Sequence, residues 1–291
     1  MMKFNVSVVI PVYNAEKFLE EAVNSALQFN CVKEVLLIED ASPDNALAVC
    51  YSLAKEDTRV KVFTHPNNEN KGAGASRNLG VEKSTSEFIA FLDADDWCLP
   101  NRFDAEKQLF KDNEVDGVYG ATGFYYENSN TLDEHKLTTI SSKVLQENLL
   151  YEFVKPGGGR FTTDAITFRK SFLKKVGLYE SSLKLHQDTE LFIRCIHNGI
   201  LKPGICNEPI AYRRVHENNR ILNPNKKNTL LFYNITLDKL FKQPVKVDKR
   251  VLRVLVKSYI IESSFSNKFT SRVIATLKLF FKKPNWILKL L

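Results

Sequence analysis

Acidic residues close two of the apolar runs in this chain: Glu39-Asp40 ends EVLLIED (34–40), and Asp93-Ala94-Asp95-Asp96 ends FIAFLDADD (88–96). A third run, VSVVI at 6–10, gives way to Pro11-Val12-Tyr13-Asn14. If these runs are neighbouring strands, their ends form one edge where carboxylates crowd. The repulsion there must be relieved by a cation, a hydrogen-bonding partner or a proton. A divalent cation is the economical answer. Ligands that are all oxygen favour Mg²⁺ or Mn²⁺, which typically bridge one or two carboxylates to a substrate diphosphate.

The elements that must position those acids follow from the hydrophobic pattern. Short runs rich in β-branched residues at 6–10, 34–39, 60–64 and 88–93 alternate with amphipathic stretches at 15–29, 44–56 and 73–83. Repeated β-α units with near-continuously apolar strands predict a buried, mostly parallel sheet flanked by helices. In such sheets ligands bind beyond the carboxyl ends of the strands, where the acids fall. Leu19, Val23, Ala26 and Leu27 recur at helical spacing and predict a core-facing helix with Asn14 as its N-cap. After Pro100 the pattern predicts a helix to Lys111, then a strand over 116–130 that runs into a polar loop. Residues 143–200 hold a helix, a glycine turn at 157–159, a strand at 166–169 and a helix over 187–199 capped by Gly199. From Asn225 onward the pattern is helical and basic.

Composition removes several alternatives. The 291 residues are 44% hydrophobic and 26% charged, with 12 Gly and 10 Pro, so disordered and fibrous classes are excluded. The cysteines, at 31, 50, 98, 195 and 206, form no CxxC pair, which fits a reducing cytoplasm. The net charge of +7 is unevenly spread: residues 239–291 hold 13 Lys/Arg against Asp248 and Glu262, leaving a slightly acidic body. No uncharged apolar run approaches the roughly 18 residues of a membrane span, and MMKFNVSVVIPVYN has no signal-peptide pattern. The expectation is a protein neither exported nor membrane-spanning. GAGASR (72–77) ends in Arg77 rather than glycine and follows no strand directly, which argues against a dinucleotide-binding fingerprint. No GxxxxGK[ST] loop occurs, and PVYNAEKF lacks the glycine- and base-rich loop of a sugar-phosphate nucleotidyltransferase. The basic tail carries no recognised nucleic-acid motif, so no nucleic-acid partner is expected.

VSVVIPVYN (6–14), IEDASPDN (38–45), NKGAGASRNLG (70–80), FLDADD (91–96) and HQDTELFIR (186–194) together resemble the ordered motifs of inverting glycosyltransferase family two, over about residues 5–220. The resemblance implies an α/β GT-A fold with a Rossmann-like sheet. Residues 1–100 would form the nucleotide-sugar-binding half of a catalytic domain spanning 1–224, residues 101–224 its acceptor side, and 225–291 a helical extension. It further implies a nucleotide-sugar donor, usually UDP-linked, and metal-dependent transfer. By motif position, Asp40 would bind the base, and Pro11, Val12 and Tyr13 would line the nucleotide pocket. Arg77 would approach the donor, Asp93-Ala94-Asp95 would be the DXD motif, and Asp188 the catalytic base. His216 of YRRVHENN (212–219) would lie near the diphosphate, with Asp95 and His216 as candidate ligands of Mn²⁺ or Mg²⁺. Two departures stand out: Glu39 replaces the usual first acid at the second strand end, and Gln187 replaces the glutamate beside the base. Trp97 is expected to pack in the core, and His186 receives no role.

Inversion needs an acceptor hydroxyl deprotonated as it attacks the anomeric carbon opposite a departing diphosphate, which is the work expected of Asp188 and of a cation on Asp95. The expected acceptor is a saccharide or lipid-linked saccharide in bacterial surface-glycan assembly. The contrasting possibility is a catalytically silent sugar-nucleotide-binding scaffold. In the tail, Leu252, Leu255, Val256 and Tyr259 share one helical face while Lys249, Arg253 and Lys257 form a stripe on another, and a second amphipathic segment runs over 272–283 with Val273, Leu277, Phe280 and Phe281 apolar. Basic amphipathic helices suit an anionic membrane surface, here the inner face of the cytoplasmic membrane. They equally suit packing against the rest of the protein.

Overall fold

The computed structural model describes residues 3–217, 225–242, 245–264, 269–284 and 286. The β-α alternation appears as β1 (Val6–Val12), α1 (Leu19–Leu27), β2 (Val32–Glu39), α2 (Ala46–Glu56), β3 (Val60–Thr64), α3 (Ala73–Lys83) and β4 (Phe88–Phe91). Next come β5 (Trp97–Cys98), α4 (Asp104–Leu109), β6 (Gly117–Tyr119), β7 (Ala121–Tyr126), β8 (Thr131–Thr138), α5 (Gln146–Val154) and β9 (Ile166–Arg169). The described chain continues through α6 (Lys170–Val176), α7 (Gln187–Asn198), β10 (Leu201–Pro203), β11 (Pro209–Val215), α8 (Lys226–Lys242), α9 (Lys249–Ser263) and α10 (Phe269–Lys282).

The main sheet has seven strands in the order β10-β6-β9-β4-β1-β2-β3. The block β3-β2-β1-β4 is parallel, and β9 is antiparallel to both β4 and β6. The chain winds outward from β1 to β3 and then returns to the other side of β1 with β4, so the strand order switches direction between β1 and β4. A crevice opens at such a switch, beyond the carboxyl ends of the strands. Both faces of the sheet are covered, which is why its strands read as apolar runs rather than alternating ones. Val8, Ile10, Leu37 and Ala90 pack with Leu19, Val23 and Cys50 of α1 and α2. Val9, Leu36, Ile38, Ile89 and Phe91 pack on the opposite face with Val81 of α3, Leu149 of α5 and Leu191 of α7.

Several expected details are corrected. The first helix begins at Leu19 with Phe18 at its N-cap, and Asn14 is not its cap. Asn14 instead has a φ of +54° and donates its backbone N–H to Ser42 Oγ at 2.6 Å, while Glu16 N–H reaches Asp44 Oδ2 at 2.9 Å. The loop after β1 is thus drawn onto the loop after β2. The helix expected to run to Lys111 spans only Asp104–Leu109. The single strand expected over 116–130 is two strands in different sheets, divided at Gly120, where a Cβ would lie 2.4 Å from Ile210 Cδ1. Its polar continuation is no loop but β8, the antiparallel edge of the second sheet, β5-β11-β7-β8. Gly199 does cap α7, as expected, and does so in extended backbone; its side hydrogen faces Phe172, whose ring a Cβ would meet at 2.3 Å.

The C-terminal helices share the core. Phe232, Leu237 and Leu240 of α8, and Val251, Leu252, Leu255 and Val256 of α9, belong to the cluster that includes α5, α7 and one sheet face, with Tyr259 packed against it. No helix among the described residues is long and apolar enough to cross a membrane. The expected boundary at residue 224 and the residues Asn218, Asn219, Ile287 and Leu288 lie outside the described residues.

Candidate active site

The crevice is assembled around the N-terminal half of α3. Gly80 lets this helix lie directly on β1, since a Cβ there would sit 2.2 Å from Val9 Cγ1. That approach brings the preceding turn, with Arg77, over the carboxyl ends of β1 and β4. The entry to α3 is held by Asp40, a buried residue just past β2. Its two carboxylate oxygens accept the backbone N–H groups of Lys71 at 2.6 Å and Gly72 at 2.8 Å, and Asn70 Nδ2 donates to its carbonyl at 2.8 Å. Asp40 N–H in turn donates to Val12 O at 3.0 Å. Asp40 is therefore the clamp that fixes the loop before α3, a task its motif position alone does not reveal. Beside it Glu39 is buried with Oε2 lacking a hydrogen-bond partner. Of the expected pocket-lining residues, Tyr13 stands exposed at the rim and Pro11 is half-buried, while the side chain of Val12 belongs to the core.

Arg77 joins the two ends of the site. It is only 4% exposed, and it donates from NH2 to Asp93 Oδ1 at 2.5 Å and from NH1 to Asp188 Oδ1 at 3.2 Å. Burial works against its charge, but Asp188 and Asp93 outweigh burial and raise its pKa. The Tyr179 ring lies 5.4 Å from the guanidinium carbon, and Asn78 fixes Tyr179 by accepting its N–H at 2.8 Å and donating to its carbonyl at 2.9 Å. Arg77 thus faces two carboxylates, not open space. Asp188 lies in the first turn of α7, where the helix dipole favours an acid, with its side chain 41% exposed. The residue before this helix, His186, is in left-handed backbone with a φ of +61°, and its ring packs 5.1 Å from that of Phe232 in α8.

Asp95 and His216 also meet. His216 Nε2 is 3.0 Å from Asp95 Oδ2, with side chains 13% and 31% exposed respectively. One imidazole nitrogen and one carboxylate oxygen converging at a partly open position fit a divalent cation that draws its remaining ligands from substrate and water. Ala94, between the two DXD acids, is buried. Sequence reasoning missed what supports this loop. Asp96, Asp164 and Asp93 present oxygens within 4.8 Å of one another, and Asp96 and Asp164 are both buried. Burial first, then Asp93, pushes Asp164 up to about 7; burial and then Asp164 push Asp96 well above the usual carboxylate range. The two carboxyls share a hydrogen bond, and Asp164 Oδ1 accepts Asp93 N–H at 2.9 Å. Fully buried Arg102 holds the same turn through Asp164 O at 2.8 Å and Ile166 O at 3.0 Å. The only signal for Asp164 in the sequence is an acid directly before the run AITF (165–168), which by itself specifies nothing.

Trp97, expected in the core, is half-buried on the second sheet, its ring centroid 5.5 Å from Tyr212 and 5.4 Å from Tyr125. Arg214 lies over the rings of Trp97 and Tyr125 and donates from Nε to Asp95 O at 3.0 Å. The aromatic residues thereby brace the acid loop from outside.

A doubly wound sheet whose switch-point crevice gathers an acid loop, a helix-borne carboxylate and a linking arginine defines a glycosyltransferase of the GT-A fold. Residues 7–177 match the family described as Glycosyl transferase family 2, and the chain belongs to that family. It is 29% identical over 192 residues to an uncharacterized glycosyltransferase of Haemophilus influenzae, covering 66% of this chain and 71% of that one. It is 30% identical over 232 residues to an uncharacterized glycosyltransferase of Methanocaldococcus jannaschii, covering 78% and 77%. Among solved structures, S. aureus TarS 1-349 in complex with UDP-GlcNAc superposes with a TM-score of 0.68 at 17% identity, over 98% of this chain and 79% of that one. At that identity the likeness concerns the fold.

Proposed function

We propose that this glycosyltransferase inverts the anomeric centre of a UDP-sugar, moving a hexosyl or N-acetylhexosaminyl group to a saccharide or lipid-linked saccharide during bacterial surface-glycan assembly, such as lipopolysaccharide or capsule. The observation that carries the reading is the Asp93–Arg77–Asp188 bridge, which sets a carboxylate of the acid loop and a carboxylate on α7 at opposite ends of one guanidinium. An inverting transfer needs two such poles, a base for the incoming hydroxyl and a stabilised site for the departing diphosphate. Asp188, the more open of the two, takes the proton from the acceptor hydroxyl. Asp95 and His216 would hold Mn²⁺ or Mg²⁺, which supplies positive charge where the leaving diphosphate gains negative charge. Arg77 orients Asp188 and keeps it apart from Asp93. Pro11, Tyr13, Asp40 and Glu39 lie on the side assigned to the uridine. The UDP-GlcNAc complex of TarS supports a uridine-linked donor. Placement at the inner face of the cytoplasmic membrane belongs to the same proposal, since a lipid-linked acceptor is found there.

The test is release of UDP from a panel of UDP-sugars with Mn²⁺ and no added acceptor. Slow release that EDTA stops, and that Asp95→Ala abolishes while the melting temperature holds, supports the enzyme. Binding of UDP-sugars with no release, with or without added saccharides, would favour the silent scaffold.

A further inference from the structure

The two amphipathic helices of the basic tail have different fates in the fold. In α9 the apolar side chains Val251, Leu252, Leu255 and Val256 are buried in the core, so the main apolar face of that helix is already covered and Ile261 is its one large exposed apolar side chain. In α10 the buried apolar side chains are Ala275 and Leu279, held down with Trp286 and by the ion pair of Lys283 with Asp238 of α8 at 2.7 Å. Its other apolar side chains, Val273, Ile274, Leu277, Phe280 and Phe281, are between 40% and 80% exposed. At 3.6 residues per turn these five fall within about a third of the helix circumference. Arg272 and Lys278 border that stripe on its two sides, and Lys282 is exposed in the last turn. Over residues 263–291 the chain has six Lys/Arg and no Asp or Glu.

A contiguous exposed stripe containing two phenylalanines is unusual on a monomer surface, and bordering cations restrict what can cover it. A second copy packed face to face would bring like charges against like. A bilayer rich in anionic headgroups accepts both parts at once, the apolar side chains entering the acyl boundary and the lysines meeting phosphates. We propose that the outer face of α10 is a docking surface for an anionic membrane, with Leu277, Phe280 and Phe281 as its inserting residues. The proposal rests on and deepens the functional reading above, because a protein seated on the bilayer shares that surface with a lipid-linked acceptor.

The experiment uses the full-length protein with vesicles of phosphatidylcholine, with and without phosphatidylglycerol, in a co-sedimentation assay at low and high salt. The wild type should bind vesicles containing phosphatidylglycerol at low salt and leave them at high salt. Leu277→Ser combined with Phe281→Ser should weaken that binding by at least about tenfold, since each removes a large apolar side chain from the contact. Lys278→Gln with Lys282→Gln should weaken it by about tenfold or more at low salt. Both double variants should keep the wild-type melting temperature and the rate of UDP release, because neither touches the core or the crevice. A wild type that ignores anionic vesicles at low salt overturns the proposal, as does a Leu277/Phe281 variant that binds like the wild type. A vesicle-free dimer that Leu277→Ser with Phe281→Ser dissociates assigns the stripe to a second copy instead, and also overturns it. Vesicle binding abolished by those substitutions supports the docking face even if no UDP-sugar is turned over, so the two proposals fail separately.

Discussion

Asp188 is more than two-fifths exposed at the start of a helix, yet it is held in place by a guanidinium that is itself almost wholly buried. That asymmetry suits a base. On the proposal that Asp188 is the base, its side chain is open to an incoming hydroxyl, and the partner that orients it is held in place by Tyr179 and the Asn78 clamp packed around Arg77. Substituting Asp188→Asn preserves size and one hydrogen-bond acceptor but removes the capacity to take a proton. We expect kcat at saturating acceptor to fall by roughly 10² to 10⁴, with the melting temperature nearly unchanged. Unchanged turnover would move the base to another residue. The neighbouring Gln187, where the family has glutamate, leaves Asp188 as the one acid in the immediate dipeptide. Its isolation makes the Asn substitution a clean test.

At the scale of elements, the end of the sheet away from the crevice is fastened by one carboxylate. Glu34 in β2 accepts from Ser7 Oγ of β1 at 2.6 Å, from Thr85 Oγ1 before β4 at 2.9 Å, and from Lys61 Nζ of β3 at 2.5 Å. Burial alone would raise its pKa; the bonds from Lys61, Ser7 and Thr85 outweigh burial and bring it down to about 2. A carboxylate depressed in the folded state contributes stability above its unfolded pKa and loses that contribution as pH falls through the folded value. Glu34→Gln should therefore cost about 2 to 3 kcal/mol at pH 7, and the difference from wild type should shrink between about pH 4.5 and pH 2 in urea titrations. A pH-independent gap would mean that packing, not charge, is what Glu34 supplies. The strands around this residue were legible from sequence because burial on both faces leaves an unbroken apolar run. The bounds of β3, α3 and α7 likewise follow from periodicity to within a residue. The sheet change at Gly120 was not legible, since only the distant Ile210 shows why the chain must turn there. Among site residues, Asp40, Asp93, Asp95, Arg77, Asp188 and His216 were marked by motif. Asp164 and Tyr179 were not, because their importance lies in contacts with residues 71 and 102 positions away in sequence.

For the molecule as a whole, an amphipathic pattern states that a helix has an apolar face but not what that face meets. The patterns of α9 and α10 read alike, yet one closes the core and the other looks outward. This decides what a truncation can report. Removing everything after Asp238 deletes Val251, Leu252, Leu255 and Val256, all buried, and uncovers Leu149 and Phe153 of α5, which share their cluster. At about 1.5 kcal/mol or more for each buried aliphatic side chain, the loss is about 6 kcal/mol, comparable with the whole stability of an ordinary domain. The same cut removes Lys283, the partner of Asp238. It removes Lys239 as well, and with it the bridges to Glu180 and the buried Glu190 that link α8 to the helix carrying Asp188. A chain ending at Asp238 should thus fail to give a cooperative thermal transition by circular dichroism and should aggregate, taking UDP release with it. Cutting instead after Ser264 removes α10 alone and spares α9, so the remaining protein should melt cooperatively at a lower temperature and keep its UDP release. A chain ending at Asp238 that melts like the full-length protein would show that α9 rests on the catalytic body without stabilising it.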